Sequence, residues 1–387
     1  MCIRDSIAAS RLKALRSSII KSLGYAQSGP LFNRISIGEE KRELNSKAFA
    51  DSILKSGLLP AAKGNKYAEG TASSSLYDIS NQEHQKEMEK CKKKIVKLLN
   101  LCYEFVESNY PEIYNKERYF IVSDRGTFAF ITLIGRLNVF LSNEGKLNVD
   151  SSSQERFEAM ERYLDALLSA ITNLTETEEN KQLALLGQGV ETKWLQFFQT
   201  KVNDAFPEFN PQDLIEWKEK HDQELQSSGL MYSQKIESHM KHIIINTLKK
   251  AYDDNWELEI AKWKRECEDI ASKEQVQNYK EGLGNDPVDW KTKFSMLQYK
   301  EIIEKFWSNM PKDKIEPFEQ FQNVFAIEDP NGSSGKSSSV KWISQFNKYR
   351  NKIAHKGTNE QGLTKVEVDF LLEIYNFFEL SLSLIHI

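Results

Sequence analysis

The sequence predicts a mainly α-helical protein with a few strands near its N-terminal end, and three observations carry that reading. Apolar residues recur at spacings of three and four along several long stretches, polar breaks separate those stretches, and strand-like alternation is confined to two short segments. A chain of 387 residues, 40% hydrophobic and 28% charged, is long enough to bury two or three domain cores.

The first stretch, from residue 7 to about 81, joins a basic start (Arg11, Lys13, Arg16, Lys21) to Gly-, Ser- and Ala-rich sequence around 58–75. Within it, 29–36 alternates, with Leu31, Asn33 and Ile35 on one face and Phe32, Arg34 and Ser36 on the other, as a strand or extended loop would. One long helix follows from Gln82 to about Asn109, because Met88, Cys91, Ile95, Leu98, Cys102 and Phe105 form a seam that packs on another helix. Lys90, Lys92, Lys93, Lys94 and Lys97 lie outside the seam and are diluted by Glu87 and Glu89, so they read as a solvated face before they read as a nucleic-acid contact. Tyr119–Ser123 suggests a short strand, Asp124-Arg125-Gly126 its punctuation, and Phe128–Leu141 a buried helix.

Ser152-x-x-Glu155 is a capping box for a helix that turns Phe157, Met160, Leu164, Leu167, Ile171 and Leu174 inward. Thr175–Asn180 is read as a break, and Gly187-Gln188-Gly189 as a turn, since a dinucleotide fingerprint needs a third glycine and a preceding strand. Helices are expected over Gln212–Ser227 and Met231–Tyr252, then an amphipathic stretch with Trp256 and Trp263.

Four helical segments close the chain. The first carries Phe294, Leu297, Ile302, Ile303 and Phe306, a shorter one Phe318, Phe321 and Phe325, and the last runs from Val366 to Leu380. The third has Ser337, Ser338 and Ser339 as candidate N-caps, Trp342, Ile343, Phe346, Tyr349 and Ile353 as an apolar stripe, and Gly357 where a C-terminal cap belongs. Near its end stand Arg350, Asn351 and His355. Asn351 and His355 are four apart and share a face, while Arg350 leaves the axis ~100° from Asn351 on a side chain long enough to reach the same spot.

This Arg350-Asn351-x-x-x-His355 cluster, on the third of four helices, resembles the signature of the HEPN superfamily, the higher eukaryotes and prokaryotes nucleotide-binding domains. The resemblance covers roughly 283–381 and implies a small four-helix bundle that acts as a metal-independent endoribonuclease, with RNA as its partner, no cofactor, no metal, and a homodimer whose motif helices face one cleft. The catalytic residues implied are Arg350, which binds phosphate with a planar, permanently charged fork, His355, which titrates near neutrality and transfers protons, and Asn351, which orients one of them. The same residues also fit a structural reading, in which His355 caps the helix C-terminus and Arg350 pairs with a carboxylate.

A second resemblance rests on Pro30-Leu31-Phe32-Asn33-Arg34-Ile35 and on Arg125-Gly126-x-Phe128 followed by an apolar helix and a small polar loop. Both are similar to the latter part of DGQHR-type proteins, relatives of the DNA-sulfur-modification B family. The Asp-Gly-Gln-His-Arg motif itself does not occur in the chain, so no functional residue carries over. HEPN domains joined to DNA-associated modules are typical of prokaryotic defence or toxin systems. The two resemblances together imply a defence-associated ribonuclease, with DNA as a further partner through the N-terminal part. The competing class is a DNA-associated binding or regulatory protein whose bundle dimerises or recruits a partner without catalysis.

The two ends carry a different signal. Met1–Ser6 can be encoded ATG TGT ATA AGA GAC AG, and Leu382–Ile387 CTG TCT CTT ATA CAC AT, its reverse complement. Inverted identical ends look like a translated library adapter, and 1–6 and 382–387 are set aside on that account. The expected organisation is then 7–81 as the truncated end of a DGQHR-like domain, 82–282 as a helical region and 283–381 as the HEPN-like bundle, with natural sequence expected beyond both cuts.

Composition narrows the partners. A formal charge of −4 gives no global basic field, so any nucleic-acid contact must be a local patch. Outside the set-aside ends the cysteines are Cys91, Cys102 and Cys267, with no Cys-x-x-Cys, which favours reduced cytoplasmic thiols over a zinc finger. No apolar run approaches ~18 residues, so no membrane span is expected. Glu237, His239 and His242 invite a metal reading, but histidines three apart are helical neighbours and no second ligand pair is evident. Gly335-Lys336-Ser337 ends like a phosphate-binding loop, yet the first glycine of that motif would fall at Pro330, and 329–337 is read as a flexible loop between the second and third bundle helices.

Overall fold

The computed structural model describes residues 7–63, 66–67, 74–114, 120–311, 313–327, 335–354 and 362–385. It is mainly α-helical, as expected, and its few strands lie in the N-terminal part. Two compact units divide the chain, 1–215 and 216–387.

The first unit begins with α1 (Ile7–Tyr25), which buries Leu12, Leu15, Ile19 and Leu23 along one stripe. The alternating segment that follows is mostly turns. Asn33 takes a left-handed φ of 60°, tolerable for asparagine, and only Ile35–Ser36 (β1) is extended, pairing in parallel with Leu44–Asn45 (β2). The Asn45 side chain caps α2 (Ser46–Ser56), which stops at Gly57 with φ 84°. Ala62–Lys63 (β3) and Lys66–Tyr67 (β4) form a short antiparallel pair. The expected long helix is α3 (His84–Asn109), with Cys91, Ile95, Leu98 and Cys102 fully buried, and α4 (Pro111–Tyr114) follows.

The strand expected at 119–123 does not form over its described residues, 120–123. They are a bend in which Phe120, Ile121 and Val122 are apolar because they are core, and Phe120 packs 5.2 Å from the Trp194 ring. Ser123 caps the next helix, so Asp124-Arg125-Gly126 is its first turn and no interruption. Only glycine fits at 126, where a Cβ would stand 1.5 Å from the Phe120 carbonyl oxygen. That helix, α5 (Asp124–Asn143), is buried almost all round, and α2 and α8 (Val190–Ala205) make the most extensive contacts with it.

The Ser152–Glu155 capping box is present at the start of α6 (Ser153–Thr172). Thr175–Asn180, expected as a break, instead starts α7 (Glu176–Leu183), because Thr175-x-x-Glu178 is a second capping box. Gly187 and Gly189 form the expected turn, both at positive φ. Gln212–His221 (α9) ends before Asp222, whose carboxylate accepts from the Glu224 and Leu225 amides and opens α10 (Gln223–Tyr252). The boundary expected near 228–230 is therefore absent. Gly229 is mid-helix, where a Cβ would meet Leu363 Cδ1 at 2.7 Å.

In the second unit α10 is followed by α11 (Trp256–Glu259), α12 (Ala261–Lys280), α13 (Met296–Lys305), α14 (Phe321–Val324), α15 (Lys336–Ser339), α16 (Lys341–Ala354) and α17 (Lys365–Ile385). The helix around Phe318–Phe325 shrinks to the single turn α14, with Phe321 and Phe325 buried and Phe318 exposed. Ser337–Ser339 lie inside α15 instead of capping α16, since Gly335 takes the cap position. Residues 328–334, the rest of the expected polar loop, and Gly357 lie outside the described residues. The long α10 packs along α17 and against α13 and α16, so this unit reaches upstream to 216, further than the 283 expected for the bundle.

Helices α2 and α5 touch at Gly135, where a Cβ would lie 2.1 Å from the Ser56 carbonyl oxygen. Glycine to alanine inside a helix ordinarily gains ~0.5–1 kcal/mol. Gly135→Ala is expected to reverse that sign and cost about 1–3 kcal/mol through overpacking, read as a lowered urea midpoint with an unchanged m-value.

Candidate functional site

Helix α16 turns Trp342, Ile343 and Phe346 into the core, and the Trp342 Nε1–H donates to the Phe325 carbonyl at 3.1 Å. This pins the helix rotationally. One turn after Phe346, Arg350 reaches α10, where its Nε donates to Glu237 Oε2 at 3.2 Å and Nη2 lies 3.5 Å from Oε1. The two side chains are 39% and 32% exposed, so water still shares the pair. Tyr299 of α13 is buried close enough to feel both charges. Its hydroxyl pKa is pushed up first by burial and then by the charges of Glu237 and Cys267, with Arg350 pulling it back. Asn351 is half-buried on the next position, and Lys352 is tied to Glu367 of α17, which also accepts from the Thr364 amide at 3.1 Å.

The structure thus unites Arg350 with Glu237, and sets Asn351 beside Arg350 on the helix. His355 lies outside the described residues. Pairing of Arg350 with a carboxylate was one of the two readings of the sequence. In the sequence its partner Glu237 stands out only beside His239 and His242, and the available signal is a carboxylate flanking the buried stripe of Ser233, Ile236 and Met240 on α10.

The decoys resolve into separate contacts. Glu237 and His239 leave their helix ~200° apart. His239 Nε2 lies 3.0 Å from Glu379 Oε1, and His242 Nε2 is 2.8 Å from Asn246 Nδ2. No cluster of metal-ligating side chains occurs among the described residues. Cys91, Cys102 and Cys267 are free and buried, and burial lifts the Cys267 thiol pKa to about 11. On α3, Lys90, Lys93 and Lys97 are exposed, Lys92 pairs with Glu89, and Lys94 donates to the Val149 carbonyl at 3.1 Å. A groove of about 600 Å³ between α16 and α17 is walled by Trp342, Phe370, Ile374 and Phe377. Its rim residue Gln345 leaves α16 ~140° from Arg350, so the groove opens away from the arginine. Among the described residues no helix is long and apolar enough to cross a membrane.

The chain matches no protein-family model, no curated protein and no solved structure.

An ion pair exposed by about a third contributes little to stability, because water competes for both partners. A double-mutant cycle of Arg350→Ala and Glu237→Ala is expected to give a coupling of about 0.3–1 kcal/mol in urea unfolding, with both single variants folded. A coupling near ~3 kcal/mol would instead mark a desolvated structural pair.

Proposed function

We propose that the second unit is a HEPN-like, metal-independent endoribonuclease in a defence-associated protein. The observation that supports this best is the way Glu237 holds Arg350. The carboxylate engages Nε and one Nη at the half-exposed end of α16, which leaves three of the guanidinium's five N–H donors for an incoming phosphate. A guanidinium already oriented in this way loses less freedom when it binds a phosphate. Cleavage by an adjacent 2′-hydroxyl needs that hydroxyl deprotonated, the phosphorane charge neutralised and the leaving 5′-oxygen protonated. Arg350 takes the charge, His355 the proton transfers, and Asn351 the orientation. The RNA partner and a homodimer that pairs two such sites belong to this proposal.

A second reading has its own support. Residues 216–387 carry 24 Lys and Arg against 28 Asp and Glu, a formal −4, and Glu237 already answers the charge of Arg350. A bundle of that kind suits a non-catalytic role in dimerisation or partner recruitment, with any DNA contact made elsewhere in the protein.

RNA cleavage by the purified chain in excess EDTA separates the two. The nuclease reading expects cleavage that chelation leaves unchanged and that falls by ~10²-fold or more in Arg350→Ala and in His355→Ala, each shown folded by circular dichroism. Cleavage retained by both variants, or absent from the intact chain, favours the scaffold.

A further inference from the structure

Charge is unevenly spread along the first unit. Residues 7–100 carry 17 Lys and Arg against 9 Asp and Glu, a formal +8, whereas 101–215 carry 10 against 18. Within the basic part, α1 and α3 pack together and leave a cleft of about 560 Å³ between them. Arg11 and Ser18 line it from α1, and His84, Gln85, Glu89 and Lys92 from the first turns of α3.

The lining is chemically one-sided. Arg11 is half-buried and has no carboxylate partner among the described residues, although its charge reaches the buried hydroxyl of Tyr77, whose pKa it lowers against the larger effect of burial. Lys92 has Glu89, so this pair is internally balanced and Arg11 supplies the net charge. His84 Nδ1 is buried without a hydrogen-bond partner. The start of α3 adds to the field. The Glu83 side chain makes no cap to the first-turn amides and instead holds Lys86 Nζ at 2.8 Å, leaving the positive end of a 26-residue helix beside the cleft. On the other side, Leu15 and Met88 offer an apolar wall.

We propose that this cleft binds a phosphorylated small molecule of nucleotide size. The Arg11 fork and the Lys92 ammonium suit a phosphoryl group, which the uncapped helix end favours further. Leu15 and Met88 suit the face of a ring, Ser18 and Gln85 its polar edges, and the volume falls within the range of small-molecule sites. The basic surroundings attract such an anion before contact. The site lies in the first unit and is independent of ribonuclease activity in the second.

Isothermal titration of the whole chain with inorganic phosphate, uridine 5′-monophosphate, adenosine 5′-monophosphate, uridine and a ten-nucleotide single-stranded DNA tests it. The expected result is saturable binding of a monophosphate, weaker binding of phosphate and none of uridine. Arg11→Gln should weaken the monophosphate at least tenfold, and Glu89→Gln, which removes the competing carboxylate, should tighten it severalfold. Opposite signs at two positions lining one cleft are not what a folding defect produces, and Lys92→Gln repeats the loss should Arg11→Gln fail to fold. No saturable heat with either monophosphate, or affinity indifferent to Arg11→Gln and Lys92→Gln, overturns the proposal. Binding of the oligonucleotide alone also overturns it, since the phosphates read would then be those of a nucleic-acid backbone.

Discussion

Arg156 is a permanent charge, 2% exposed, with no carboxylate hydrogen-bonded to it among the described residues. Burial lowers its pKa, yet a guanidinium cannot escape by losing its proton at any ordinary pH, so the surroundings must solvate it. They do so with neutral oxygens: Asn138 Oδ1 at 2.5 Å, the Asn148 carbonyl at 2.6 Å and the Ser151 carbonyl at 3.2 Å. Asn138 is committed in turn, its Nδ2 donating to the Ser74 carbonyl at 2.6 Å. One charge therefore fixes α5, α6, the loop joining them and the segment before α3. Removing any acceptor would leave a desolvated donor, at a cost of about 1–3 kcal/mol or more.

The second unit handles charge differently. Arg350 and Glu237 pair at the surface, as do His239 with Glu379 and Lys352 with Glu367, each joining two bundle helices while water keeps access to at least one partner. Such pairs set rotation and register more than stability. Donors left over in an exposed pair remain usable for a ligand, whereas those of Arg156 are spent on the fold. The contrast separates an arginine whose donors are spent on the fold from one whose donors stay open to solvent, and sequence position gives no hint of it.

What could be read in the sequence was local. The seam of α3 and the capping box of α6 depend on spacings within one helix, and both are present in the structure. The Thr175 box was equally local but hidden in a Thr- and Glu-rich run that resembles a break. The apolar run at 120–122 was misread because burial against Trp194, and not cross-strand pairing, explains its composition. Gly229 looked like a helix boundary until the contact with Leu363 supplied a reason for a missing side chain. At the candidate site, Arg350 and Asn351 announced themselves by spacing. Glu237, 113 residues away from Arg350, could be found only once α10 and α16 lay side by side.

The length of α10 has a consequence for how the second unit comes apart. Thirty residues at ~1.5 Å each make a rod of ~45 Å, unbroken because Asp222 starts it late and Gly229 does not stop it. Helices α13, α16 and α17 each pack on this one rod, and α16 also touches α13 and α17. A fluctuation that disorders the rod removes a packed face from all three partners at once, so they loosen together. Slow amide exchange in these four helices is then governed by a single cooperative opening, and the half-exposed Arg350 rides on an element that is either fully in place or released with the rest.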